Sequence, residues 1–152
     1  MEDDALTMTN PEYLDLITRA HDDGTLPARM GIEFLEVSPE RVVARMPVEG
    51  NRQPFGVLHG GASCVLAETI GSVGALLHAG EGRVAMGVEI NATHHRPATS
   101  GHVTGVATRL FGGRNIATYQ IEITDEQGGL VCTSRLTCLL RDSARDRADG
   151  LV

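Results

Sequence analysis

The chain has 152 residues, 41% hydrophobic and 22% charged, which suits one globular domain. Its formal charge of −7 argues against nucleic acid as a partner, because phosphate-backbone binding needs a basic footprint. Aromatic residues make up 3% and Trp is absent, so the core has to be aliphatic.

In chain order, Met1-Glu2-Asp3-Asp4 is acidic and opens no apolar run, so it does not read as a secretory signal. Asn10-Pro11-Glu12 sets a capping residue before a helix-starting Pro and predicts a short helix to Ala20, left at Asp23-Gly24. Strand-like runs over residues 31–37 and 41–48 follow, joined by Ser38-Pro39. A polar loop leads to a predicted helix over 61–78. Leu66, Ile70, Val73 and Leu77 make its apolar stripe. Cys64, Ala67, Gly71, Gly74 and His78 make a second face of mostly small residues. Glycine costs about 1 kcal/mol relative to Ala inside a helix, so two on one face predict the close approach of another backbone. Residues 57–79 have the length and apolarity of a membrane span, but Glu68 near the middle makes that reading costly.

Past the helix, Val84, Met86, Val88, Ile90 and Ala92 alternate with polar residues and predict a strand with one apolar face. Runs over 102–110, 114–124 and 130–140 look alike. The short separators Phe111-Gly112-Gly113 and residues 125–129 predict an antiparallel meander. Cys132 and Cys138 share a strand face and read as small buried residues. With Cys64 they make an odd set without zinc-site spacing, which fits a reducing, cytoplasmic compartment. The expected organisation is a lead-in over 1–28, an α+β domain over 29–141 whose sheet covers the helix, and a charged, frayed tail over 142–152.

Glu68 is the first candidate for chemistry. No Lys or Arg lies between Arg52 and Arg83, so the helix offers it no local cation, and desolvation is expected to raise its pKa. A structural Glu paired with a distant Arg, or one facing solvent, is the competing reading. The helix start, Gly56-Val57-Leu58-His59-Gly60-Gly61, supplies unbonded N–H groups at the positive end of the dipole, an environment that stabilises an oxyanion. His59 reads equally as a cap. Gly60 and Glu68 are separated by about 12 Å of helix axis, too far to serve one carbonyl from one helix. Two antiparallel helices in a two-fold dimer, each lending its start to the other's carboxylate, would bring them together.

The run 52–63 (Arg-Gln-Pro-Phe-Gly-Val-Leu-His-Gly-Gly-Ala-Ser), followed by Leu66-Ala67-Glu68-Thr69, resembles the signature of hotdog-fold acyl-CoA thioesterases. The branch is that of the phenylacetate-pathway enzymes and the Arthrobacter-type 4-hydroxybenzoyl-CoA thioesterase. Within it, Glu89-Ile90-Asn91-Ala92-Thr93-His94-His95-Arg96-Pro97 looks most like the menaquinone-pathway dihydroxynaphthoyl-CoA and enterobactin-pathway proofreading thioesterases. The resemblance implies a hotdog fold and hydrolysis of a small, aromatic acyl-CoA. Glu68 would be nucleophile or general base and the Gly60 N–H would polarise the carbonyl. Gln53 and His59 would flank the carbonyl and leaving group, and Ser72 would position water or Glu68. A thioester is reactive enough for one carboxylate and an oxyanion site.

The same resemblance places CoA, as part of the substrate rather than a cofactor, against Gly87, His94, His95, Arg96 and Pro97 and the turn Phe111-Gly112-Gly113-Arg114-Asn115. Adjacent His94 and His95 point to opposite sheet faces, so no metal is expected, and the charge and Glu68 argue against nucleic acid and membrane. The resemblance adds that the homodimer with shared sites pairs into a tetramer. In the close relatives that turn usually reads His-Leu-Gly-Arg-Gln, from which Phe111, Gly112 and Asn115 depart. A hotdog dehydratase or hydratase and a non-catalytic acyl-CoA binding module are the competing classes. The first has different motifs, and the second has no use for Glu68.

Overall fold

In the computed structural model, residues 22–143, 148 and 150 are described. The helix expected to end at Ala20, and most of the tail, lie outside these residues. A four-residue helix, α1 (Leu26–Arg29), has Pro in its first turn and leads into β1 (Glu33–Val37) and β2 (Arg41–Pro47). The long helix α2 (Gly60–Ala79) follows, then β3 (Arg83–His94), β4 (His102–Gly112), β5 (Ile116–Thr124) and β6 (Leu130–Asp142). All six strands form one antiparallel sheet in the order β1-β2-β4-β5-β6-β3. This is the expected α+β arrangement, a sheet wrapped over one helix.

The sheet explains the helix. Leu66 and Ile70 are fully buried, each worth roughly 1.5–3 kcal/mol of transfer free energy. Gly105 of β4 makes room for both: a Cβ there would lie 3.0 Å from Ile70 Cδ1 and 3.2 Å from Leu66 Cδ2. By length and apolarity alone α2 could cross a bilayer, but its apolar stripe is covered by the sheet. The small-residue face is also covered, though by side chains rather than by a second backbone. A Cβ at Gly71 would lie 2.7 Å from Leu136 Cδ2, and one at Gly74 would lie 2.6 Å from the Tyr119 ring. The glycines accommodate large residues projecting from β5 and β6.

Two sequence expectations need correction. The meander holds for β4-β5-β6, but β3 lies at the sheet edge and pairs with β6. The connection from β3 to β4 runs past the helix start, where Leu58 N–H donates to the Ala98 carbonyl at 2.8 Å. The single apolar face expected for β3 also fails, because a β-bulge shifts the register between Gly87 and Glu89. Before the bulge Ala85 packs on the core and Gly87 faces α2; after it Ile90 and Ala92 pack inward. Val88, the extra residue, is 61% exposed. Cys132 and Cys138 are fully buried, as expected.

Candidate active site

The start of α2 is set by its loop. Gln53 N–H donates to the Val57 carbonyl at 2.9 Å and Gly56 N–H to the Gln53 carbonyl at 3.0 Å, a tight turn with positive φ at Gly56. Gln53 Oε1 accepts from Phe55 N–H. His59 is the N-cap, its Nδ1 accepting from Gly61 N–H at 2.8 Å. Its ring therefore caps the helix, and it does not line the cleft beside it. Among the described residues nothing accepts the Gly60 N–H.

That cleft, of about 320 Å³, is lined by Gln53, Gly60, Ser63, His94, His95, Arg96 and Pro97, among others. The predicted strand end and helix start are thus brought together. A Cβ at Gly60 would lie 2.9 Å from His94 Nε2, so the imidazole rests on the bare Cα. His95 turns the other way, its Nε2 2.9 Å from Thr133 Oγ1. Ser63, one turn into the helix and 1% exposed, also lines the cleft. It was not among the predicted residues, although its spacing from Gly60 places it there.

Glu68 lies two turns further along, with a different set of neighbours. A Cβ at Gly87 would lie 3.0 Å from Glu68 Oε1, so the carboxylate packs over the glycine before the bulge. Ser72 reaches the Cys138 thiol, whose pKa burial pushes up to about 11; Ser72 opposes that shift and Glu68 adds to it. Glu68 is exposed in the single chain, contrary to the expected desolvation, because the strand it packs over, β3, is at the edge of the sheet. No cation pairs with it among the described residues. The reading of Glu68 as half of a structural ion pair is therefore not supported. Cys138, read from sequence only as a buried residue, is a neighbour of this carboxylate.

The turn Phe111-Gly112-Gly113-Arg114-Asn115 is not near the first cleft. It lies at the opposite end of α2, where His78 Nε2 meets the Gly113 carbonyl at 2.9 Å. A second cleft of about 620 Å³ opens there, lined by Arg83, Arg114, Asn115, Arg141 and Asp142 together with Leu139 and Leu140. Arg83 and Arg141 were missed, since only the strand pairing Val84 with Arg141 and Arg83 with Asp142 brings them to the turn. Because α2 is about 30 Å long, the two segments expected to hold CoA are far apart within one protomer. Phe111 is 59% exposed.

A model of the Thioesterase superfamily matches residues 55–132 of the chain. The proofreading thioesterase EntH of Cronobacter turicensis is 46% identical over 115 residues, covering 75% of this chain and 84% of its own. A thioesterase from Haemophilus influenzae superposes with a TM-score of 0.80 at 42% identity, over 86% of this chain and 91% of that one. Two solved variants of a Staphylococcus aureus protein, 31% and 30% identical with TM-scores of 0.75 and 0.74, cover 77% and 76% of this chain and 98% of their own. One has Ala in place of a Glu and the other Ala in place of a Gln, the two positions fifteen residues apart.

Proposed function

The chain belongs to the Thioesterase superfamily, and from that premise we propose that it hydrolyses a small, aromatic acyl-CoA to the free acid and CoA, with Glu68 as the catalytic carboxylate. The observation that carries this reading is the seat of Glu68: an exposed carboxylate packed over Gly87, without a cation partner among the described residues. A Glu that simply faced solvent would not need glycine at residue 87 to seat it, and a binding module has no use for the carboxylate. The separation of Gln53 and Glu68 equals that of the Gln and Glu replaced in the Staphylococcus aureus variants, which supports treating the two as one functional pair.

In the proposed reaction Glu68 acts as nucleophile or general base. It either attacks the carbonyl carbon to give a mixed anhydride, which water then opens, or removes a proton from the water that attacks. The negative charge that develops on the carbonyl oxygen accepts a hydrogen bond from the unbonded Gly60 N–H at the helix start. The C–S bond breaks and CoA leaves as a thiolate that takes up a proton. Gln53 flanks the carbonyl from the cleft wall, His59 braces the Gly60 loop as a cap, and Ser72 orients water or Glu68. Since about 12 Å of helix separates Gly60 from Glu68, the two serve one carbonyl only when supplied by antiparallel helices of two protomers. The remote placement of the two CoA segments supports the same assembly: a CoA touching both draws them from different protomers. We read the assembly as a homodimer with shared sites that pairs into a tetramer, in the cytoplasm.

The chemistry of the phosphates favours the arginine cleft for the nucleotide end of CoA. The exposed apolar Phe55, beside Gln53, favours an apolar and aromatic acyl group. By motif, the acyl-CoA is a menaquinone-type precursor or an aryl-CoA of the proofreading kind. The experiment is CoA release from a panel of acyl-CoA thioesters including benzoyl-CoA, by native protein and Glu68→Gln. The expected result is turnover by the native protein and a loss of roughly 10²–10⁴-fold in the variant. Turnover of the variant at the native rate would show the carboxylate assignment to be wrong.

A further inference from the structure

The C-terminal end of α2 holds an imidazole that the proposed chemistry does not use. A Cβ at Gly112 would lie 2.6 Å from His78 Cε1 and 2.9 Å from its Nε2, so the ring occupies space that only glycine leaves free. Arg109 lies 3.1 Å from His78 Nδ1 through its guanidinium, and that guanidinium is held by Glu40 at 3.2 Å. Guanidinium nitrogens only donate, so Nδ1 is the acceptor and Nε2 carries the hydrogen that goes to the Gly113 carbonyl at 2.9 Å. Gly113 N–H in turn donates to the Ile116 carbonyl at 2.8 Å and closes the turn.

On its other side the turn is held from the arginine cleft. Arg83 donates to the Arg114 carbonyl at 2.6 Å and to the Leu140 carbonyl at 3.2 Å, and Leu140 N–H donates to the Asn115 carbonyl at 2.8 Å. The Arg114 guanidinium itself has no ion pair among the described residues and lines the cleft with Arg83 and Arg141. Asp142 also lines the cleft and pairs with Arg83 at 3.1 Å, so three arginines against one carboxylate leave a net positive local site for phosphate on a protein of net charge −7.

We propose that His78 is a positioning residue for the phosphate-bearing end of the acyl-CoA: through the Gly113 carbonyl it fixes the turn that aims Arg114 into the cleft, and Gly112 is the glycine that admits it. The identity of the ligand rests on the thioesterase reading; the clamp itself rests on the distances above. His78 touches no reacting group, so its loss should weaken CoA binding and leave the chemical step alone.

His78→Phe keeps a ring and removes both hydrogen bonds, while His78→Leu removes them with a smaller side chain. For each, kcat and KM are measured with benzoyl-CoA and with benzoyl N-acetylcysteamine thioester, which lacks the nucleotide, and the Kd of free CoA by calorimetry. The expected result is a rise of about five-fold in the KM for benzoyl-CoA and the Kd for CoA, the loss of the one hydrogen bond that reaches the turn, to the Gly113 carbonyl. kcat and the KM of the truncated thioester stay unchanged. An equal rise for both thioesters, or unchanged CoA affinity in folded variants, overturns the proposal. If native protein binds CoA but turns over neither thioester, the function proposed above fails and the CoA Kd alone decides the role of His78. If His78→Phe does not fold, His78→Leu carries the same comparison.

Discussion

Glu68 Oε1 lies 3.0 Å from the point where a Cβ of residue 87 would stand, so the carboxylate has its seat because that position is glycine. The bulge at Val88 is what turns residue 87 toward the helix. Helix and strand thus fix the carboxylate together.

Gly87→Ala is expected to keep the fold, since residue 87 is exposed on an edge strand, and to displace the carboxylate by a fraction of an ångström or more. Misplacement on the ångström scale costs up to about 10²-fold in rate. The check is kcat for CoA release beside an unchanged thermal midpoint; native kcat in the variant would separate Gly87 from the chemistry.

The unbonded N–H of Gly60 can be deleted without breaking the helix. Residue 60 is the first helical position, where Pro is well accommodated, and His59 already has the extended φ −67, ψ 131 that a following Pro prefers. Gly60→Ala supplies the control, because it adds the same Cβ against His94 but keeps the N–H. Gly60→Pro should lower kcat by roughly 10²–10³-fold relative to Gly60→Ala, the loss found on removing one oxyanion donor. Equal kcat in the two variants would remove Gly60 from the mechanism.

Much of this was legible in the sequence because it is local. The capping loop before Gly60, the stripe of Leu66 and Ile70, and the short turns between β4, β5 and β6 depend on neighbours in the chain. What the sequence withheld depends on register between distant strands. Gly87 inside the run is the local sign of a bulge, but the alternation from Val84 to Ala92 outweighs it and reads as one face when it is two. Arg83 and Arg141 meet Arg114 only through pairing of β3 with β6. The glycine pair in α2 correctly signalled a close approach, but only the sheet shows that Tyr119 and Leu136 are what approach.

Gly74→Ala sets two effects against each other. Helix propensity favours Ala by about 1 kcal/mol. The new Cβ would stand 2.6 Å from the Tyr119 ring, which is fully buried and tied by its hydroxyl to the Pro39 carbonyl at 2.5 Å. Overpacking of that kind costs about 1–3 kcal/mol, so the net effect should be destabilising. A thermal melt is expected to show a midpoint lower by about 3 °C for each kcal/mol lost. A higher midpoint would mean that the ring yields freely.

Burial raises the thiols of Cys132 and Cys138 from a usual value of 9.0 to about 11. A raised folded-state pKa gives stability that is fully present below pH 9 and lost as pH climbs through 11. Each thiol should contribute about 2 kcal/mol to alkaline destabilisation by pH 11. Iodoacetamide at pH 8 should therefore label native protein only at the partly exposed Cys64, and denatured protein at all three cysteines, as read by mass spectrometry. Native labelling of Cys138 would contradict the packing beside Glu68.

The shared site is tested most directly by mixing two dead proteins. Glu68→Gln keeps an intact Gly60, and Gly60→Pro keeps an intact Glu68. When the two are refolded together, each mixed dimer contains one site with both intact groups. The mixture should then recover roughly a quarter of the native rate of CoA release, while a chain carrying both changes, refolded with either single variant, recovers none. A mixture no more active than its parents would contradict the pairing of Glu68 with the partner subunit's Gly60.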